Sequence, residues 1–221
     1  MKKVSVIICS LLSFLFCFSC SKNDAEEPIS GEENNVNNPG DTDVPDGDIL
    51  IVYFSRAGEN WNVGYVEKGN TAVMGDYIRE FTGGNVYEII PETPYPTDYT
   101  SMLAVSQHES DTNARPAIKK PLENLDRYSV IFIGSPIWYG GPPMIMRTFY
   151  ETYPALAQKT IVPFGTHGGS GISSCVSLIR TYFPNAALLD SYGIAGDQIR
   201  NEQSRDNVRA WLQRIGMLQS E

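Results

Sequence analysis

Histidine occurs twice in the 221 residues and cysteine four times. Three of the cysteines, Cys9, Cys17 and Cys20, fall in the first 20 residues, so Cys175 stands alone in the rest of the chain. One thiol cannot close an intramolecular disulfide, and two isolated histidines offer no metal-ligand spacing. Cys175 sits among Ile172, Val176 and Ile179 in a helix-like pattern and reads as a buried structural thiol. There is no Gly-x-Gly-x-x-Gly and no Gly-Lys-Ser/Thr, which argues against a dinucleotide fingerprint and a triphosphate loop. Nor is there a Gly-x-Ser-x-Gly, so hydrolase chemistry has little support. A basic surplus is also missing. The formal net charge is −9, which disfavours nucleic acid as a partner.

Three apolar runs each end in a loop rich in hydroxyls or glycine. Ile49-Leu50-Ile51-Val52-Tyr53-Phe54 lacks polar alternation, as a central parallel strand covered on both faces does. It opens into Ser55-Arg56-Ala57-Gly58, with Gly69-Asn70-Thr71 at the start of a helical pattern. Hydroxyls and free amides at a helix start form an anion site, so this loop reads as phosphate-binding. Val130 to Gly134 is a second such strand, followed by Ser135-Pro136-Ile137-Trp138-Tyr139-Gly140-Gly141-Pro142-Pro143. Prolines and glycines there shape a turn that leaves two aromatics at the carboxyl end of a strand, a place suited to a flat aromatic cofactor. Thr160 to Phe164 is a third, leading into Gly165-Thr166-His167-Gly168-Gly169-Ser170-Gly171.

These three motifs, in this order, resemble the flavodoxin-like flavoproteins over roughly residues 48–216. The resemblance implies an α/β three-layer sandwich with a five-stranded parallel sheet of order 2-1-3-4-5 and helices on both faces. It also implies FMN as cofactor, bound at the switch point between strands 1 and 3. Its phosphate would lie on Ser55, Arg56, Ala57, Gly69, Asn70 and Thr71. Its ring would lie between Pro136, Ile137, Trp138, Tyr139 and Gly140 on one side and Thr166, His167, Gly168 and Gly169 on the other. One departure stands out: family members commonly run directly from Ser-Arg-x to Gly-Asn-Thr, whereas residues 58–68 intervene here. We read them as an excursion that returns to the helix start, with Trp61 and Tyr65 as its packed anchor. Arg115 reads as a salt-bridged loop residue and His108 as a surface residue on the second helix.

Strand and helix patterns alternate along the domain. Helices are expected over 71–81, 100–109, from Pro142-Pro143 to 153, over 171–182 and over 201–215. The second strand is expected over 85–90 and the fifth over 187–194.

The amino-terminal part is of another kind. Lys2-Lys3 precede an apolar stretch over residues 4–18, too short for a comfortable membrane span and shaped like a secretory signal. Cys17-Phe18-Ser19-Cys20 resembles a bacterial lipobox, with Cys17 where Leu is usual, so Cys20 is the expected lipidation site. A plain secreted protein cut nearby is the alternative. Residues 21–48 hold nine of the 26 acidic residues against one lysine and scarcely an apolar side chain, the composition of a disordered linker. That tract resembles the export signals of surface lipoproteins, or simply solubilises. Hence we expect a signal peptide over 1–19, a lipidated Cys and acidic linker over 20–48, and a flavodoxin-like domain over 49–221.

The expected function is electron transfer through FMN by an exported protein lipid-anchored to a bacterial membrane, with a redox partner protein or a small-molecule acceptor. A reductase of quinones or other small acceptors is the first alternative, and a binding module that has lost FMN the second.

Overall fold

Continuous β-branched and aromatic runs favour extended backbone and bury both faces at once, and these runs form the middle of one parallel sheet. The computed structural model describes residues 48–218. The signal segment, Cys20 and all but the last residue of the acidic linker therefore lie outside the described residues. The elements in chain order are β1 (Ile49–Tyr53), β2 (Gly58–Asn60), β3 (Gly64–Val66), α1 (Asn70–Thr82), β4 (Asn85–Glu88) and α2 (Tyr99–Asp111). There follow β5 (Val130–Pro136), α3 (Met144–Thr152), β6 (Thr160–His167), α4 (Ser173–Tyr182), β7 (Ala187–Leu188), β8 (Tyr192–Ala195) and α5 (Glu202–Arg214).

The sheet runs β4-β1-β5-β6-β7, and β8 also pairs with β6. In register, Ile51 lies opposite Val86 on one side and Phe132 on the other, and Ile131 lies opposite Ile161. Alternation along β1 divides the core in two. Leu50, Val52 and Phe54 pack with Ile145, Met146 and Phe149 of α3, while Ile49, Ile51 and Tyr53 pack with Met74 and Ile78 of α1 and Trp211 of α5. Helices thus cover both faces, as a parallel sheet requires.

Two expectations need correction. The fifth strand is split: β7 pairs with Thr160–Ile161 and β8 with Phe164–His167, and after the Leu189 N–H donates to the Ile161 carbonyl at 3.0 Å, residues 190 and 191 leave the ladder between them. The cause is tertiary, since the indole Nε1–H of buried Trp211 donates to the Asp190 carbonyl at 2.9 Å and holds the chain out of line. Counted as one position, β7 and β8 restore the order 2-1-3-4-5. The excursion does return to the helix start, but as an antiparallel hairpin of β2 and β3 whose expected anchors Trp61 and Tyr65 are exposed. Gly58 (φ 101°) and Gly64 (φ 84°) supply left-handed backbone at its two bends, and Asn62 (φ 57°) sits in the connecting loop.

Candidate functional site

The β1-to-α1 junction has an unusual cap. Gly69 precedes α1 and has no side chain to offer, so Ser55 Oγ accepts the Ala72 N–H at 3.0 Å from 17 residues away. A Cβ on residue 69 would lie 2.2 Å from Ser55 Oγ and 2.6 Å from the Arg56 carbonyl, so glycine is what lets the two segments touch. The amides of Asn70 and Thr71 open the helix and have no intrahelical acceptor. Those of Ser55, Arg56 and Ala57 have no protein acceptor among the described residues. Five backbone donors thus gather at the positive end of α1, the composition of an anion cradle.

The Arg56 side chain does not belong to that cradle. Its Nη1 donates to the carbonyls of Pro96 (2.8 Å) and Thr97 (3.2 Å), and Nη2 donates to the carbonyl of Glu59, so the guanidinium braces the hairpin instead of facing an anion. Only its Nε lacks a protein partner. Burial lowers its pKa, with Asp98 and Glu59 opposing. A cation that sequence reading missed, Arg200, stands at the junction and donates to Asn70 Oδ1 and to the Lys68 carbonyl. Nothing local marks it, because its partners lie about 130 residues earlier.

Thr71 Oγ1 and Thr166 Oγ1, 2.8 Å apart and buried, tie the junction to the end of β6. Beside this tie opens a cleft lined by Asn70, Pro136, Ile137, Trp138, Tyr139, Thr166, His167 and Gly168, together with Trp61 and Tyr99. Its volume is about 110 Å³. The predicted ring-side residues therefore converge, with two exceptions. Gly140 lies beyond the cleft, and Gly169 lines an adjoining pocket with Trp61 and Asp197. Ser55, Arg56, Ala57, Gly69 and Thr71 lie at the junction behind the cleft and do not line it.

The aromatic walls are distributed differently from expectation. Trp138 is half-buried and packs edge-to-face on Phe54 and Tyr95, with ring centroids 5.5 and 5.0 Å away. Tyr139 and Gly140 form a two-residue turn with φ of 49° and 79°, closed by hydrogen bonds between Trp138 and Gly141 in both directions. That turn leaves the Tyr139 ring 55% exposed at the cleft mouth. Trp61 is not a packed anchor. The hairpin carries it over Gly168 and beside Tyr99, 64% exposed, as the opposite wall. Tyr65 is likewise exposed.

His167 is the last residue of β6, not a loop residue. Its Nδ1 accepts the Gly169 N–H at 3.0 Å, which fixes any proton of the neutral ring on Nε2. Burial lowers its pKa, and Asp197 partly opposes this. The cleft lining contains no Asp or Glu. Cys175 is buried 3.3 Å from Ser135 Oγ, and burial raises its thiol pKa to about 11, so it is structural as expected. Arg115 forms its ion pair with Glu151 at 2.8 Å, also as expected.

Comparison with curated proteins finds no match. Among solved structures, a flavoprotein candidate from Bacteroides eggerthii is 33% identical, with a TM-score of 0.60, over 76% of this chain and 97% of its own. A second candidate, from Bacteroides uniformis, is 30% identical, with a TM-score of 0.59, over 76% of this chain and 99% of its own. A flavoprotein from Lactobacillus acidophilus in complex with FMN shares the fold at 20% identity and a TM-score of 0.53, over 69% of this chain and 96% of its own. Residues 48–215 match the model of a flavodoxin family. With that match spanning the whole described sheet and every helix, the chain belongs to the flavodoxin family.

Proposed function

We propose that the domain binds FMN non-covalently and passes electrons as a membrane-tethered protein. The observation that carries the reading is the meeting, at one sheet edge, of five uncommitted amides at the start of α1 and a cleft walled by Trp61 and Tyr139. The donors suit a phosphate, and the aromatic walls suit a flat ring. The cleft is tighter than the roughly 300 Å³ usual for small-molecule sites. Both walls, however, are more than half exposed. Asn70, Thr71 and the amides of 55–57 would hold the phosphate, and His167, through Nε2–H, would offer a hydrogen bond at the ring's edge. FMN supplies reversible one- and two-electron transfer when bound, while the protein supplies position and electrostatics.

A second reading, an FMN-dependent reductase of small acceptors, is favoured by the cleft lining, which has no carboxylate to repel added negative charge. Tethering would come from a lipid on Cys20, followed by the acidic linker. Among the described residues no helix is long and apolar enough to cross a membrane.

The test is titration of apoprotein with FMN and with riboflavin, followed by quenching of flavin fluorescence. FMN should bind at least about tenfold tighter, a difference of about 1.4 kcal/mol. Equal affinities would remove the phosphate cradle.

A further inference from the structure

Next to the cleft, and sharing Trp138 and Tyr139 with it, lies a larger cavity of about 580 Å³ between α2, α3 and α4. That volume is within the range of small-molecule sites. Ser106 and Ser110 line it from α2, Arg147 from α3, and Ser174, Ser177 and Thr181 from α4. No acidic residue lines it, although the domain as a whole carries a slight acidic excess.

Two observations point to a ligand. Arg147 makes no hydrogen bond or ion pair among the described residues. The carboxylate one turn along its helix, Glu151, is already held by Arg115 and by the Tyr182 hydroxyl, each at 2.8 Å. Ser106 is only 5% exposed, yet its hydroxyl has no protein partner among the described residues and its side chain borders the cavity. That hydroxyl opens onto the cavity, where it can both donate to and accept from a guest. The first turn of α4, which contributes Ser174, has no side-chain cap either. The rest of the wall, from Pro142, Pro143, Met144 and Leu178, is apolar.

We propose that this cavity binds a small aromatic carboxylate, its charge between Arg147 and the Ser106 hydroxyl and its flat body against the Pro142-Pro143 wall. The one carboxylate near Arg147, Glu151, is already hydrogen-bonded by Arg115 and Tyr182, which leaves the Arg147 guanidinium without a hydrogen-bonded partner and open to a single negative charge. The proposal does not rest on FMN binding, because none of the groups it uses belongs to the α1 cradle.

The experiment titrates the full-length protein, without FMN, with 4-nitrobenzoate and with its neutral isostere 4-nitrobenzamide, by calorimetry. The carboxylate should bind about tenfold tighter, the usual worth of a charged hydrogen-bonded pair. Arg147→Gln should abolish that preference while leaving the thermal transition in place, and Ser106→Ala should weaken the carboxylate alone by about fivefold. Equal affinity of the two probes for the wild type, a preference that survives Arg147→Gln, displacement of the carboxylate by riboflavin, or no binding at millimolar concentration would each overturn the proposal. A protein that binds the carboxylate but not FMN would count against the flavin reading and leave this one standing.

Discussion

Nδ1 of His167 accepts the Gly169 amide, and a nitrogen that accepts a hydrogen bond cannot at the same time hold a proton. Protonating the ring would therefore break that bond as well as charge a partly buried group. Burial depresses the folded-state pKa below the ordinary 6.5. The sign follows from linkage: the stability tied to the neutral ring is present above 6.5 and is lost as the pH falls through the folded value. We expect the His167 midpoint by NMR titration to lie below 6.5, and His167→Asn, which keeps an acceptor near Nδ1 but does not titrate, to flatten the acid side of the melting temperature profile. A midpoint at or above the ordinary value would remove burial as the controlling influence. Other residue roles divide into two kinds. Ser55 and Thr71 could be placed at the helix start from sequence, and there the Ser55 hydroxyl caps the Ala72 N–H while the Thr71 hydroxyl meets that of Thr166. Arg56 and Arg200 could not be placed so, because each guanidinium chooses among carbonyls that only the folded chain brings near.

At the scale of elements, apolar runs named β1, β5 and β6 directly, and in the structure Gly83 ends α1 with left-handed backbone. The hairpin escaped because β2 and β3 are three residues each, both open on a glycine, and are too short to show an alternation. Its consequence for the site is large, since it exchanges the roles expected of two tryptophans. Trp61 is a free wall of the cleft, whereas Trp138 is braced by Phe54 and Tyr95. Trp61→Ala should therefore weaken FMN binding by about fivefold, the worth of about 1 kcal/mol of stacking, with little change in melting temperature. Trp138→Ala should instead destabilise the fold by about 2 kcal/mol, less than a fully buried tryptophan costs. Two dissociation constants and two melts decide it. The opposite pattern would return the ring to the Trp138 turn.

For the whole molecule, charge is divided along the chain. Nine acids and one lysine occupy residues 21–48, while residues 49–221 hold 17 acids against 14 basic residues. The acidic character thus belongs to the tract ahead of the domain and says little about how the domain meets a partner. The expectation of a linker there rests on composition alone, since all but its last residue lies outside the described residues. The split fifth strand was beyond the reach of composition, as it depends on one indole reaching across from α5. On the anchoring proposal, Cys20→Ser should move the protein from the membrane fraction to the soluble one, because the apolar stretch over 4–18 is short for a stable span. Wild-type protein that incorporates no labelled fatty acid would refute it.

The same split bears on association between copies. A sheet that ends in an unbroken strand presents a row of unpaired amides and carbonyls on which a second chain can lay itself down. Here the outermost position offers two residues, a bend, and four residues more, and the carbonyl at the bend is already occupied by Trp211. An incoming strand finds no continuous template there, so the carboxyl-side edge is guarded by its own interruption and copies of the chain can crowd without zipping together along it.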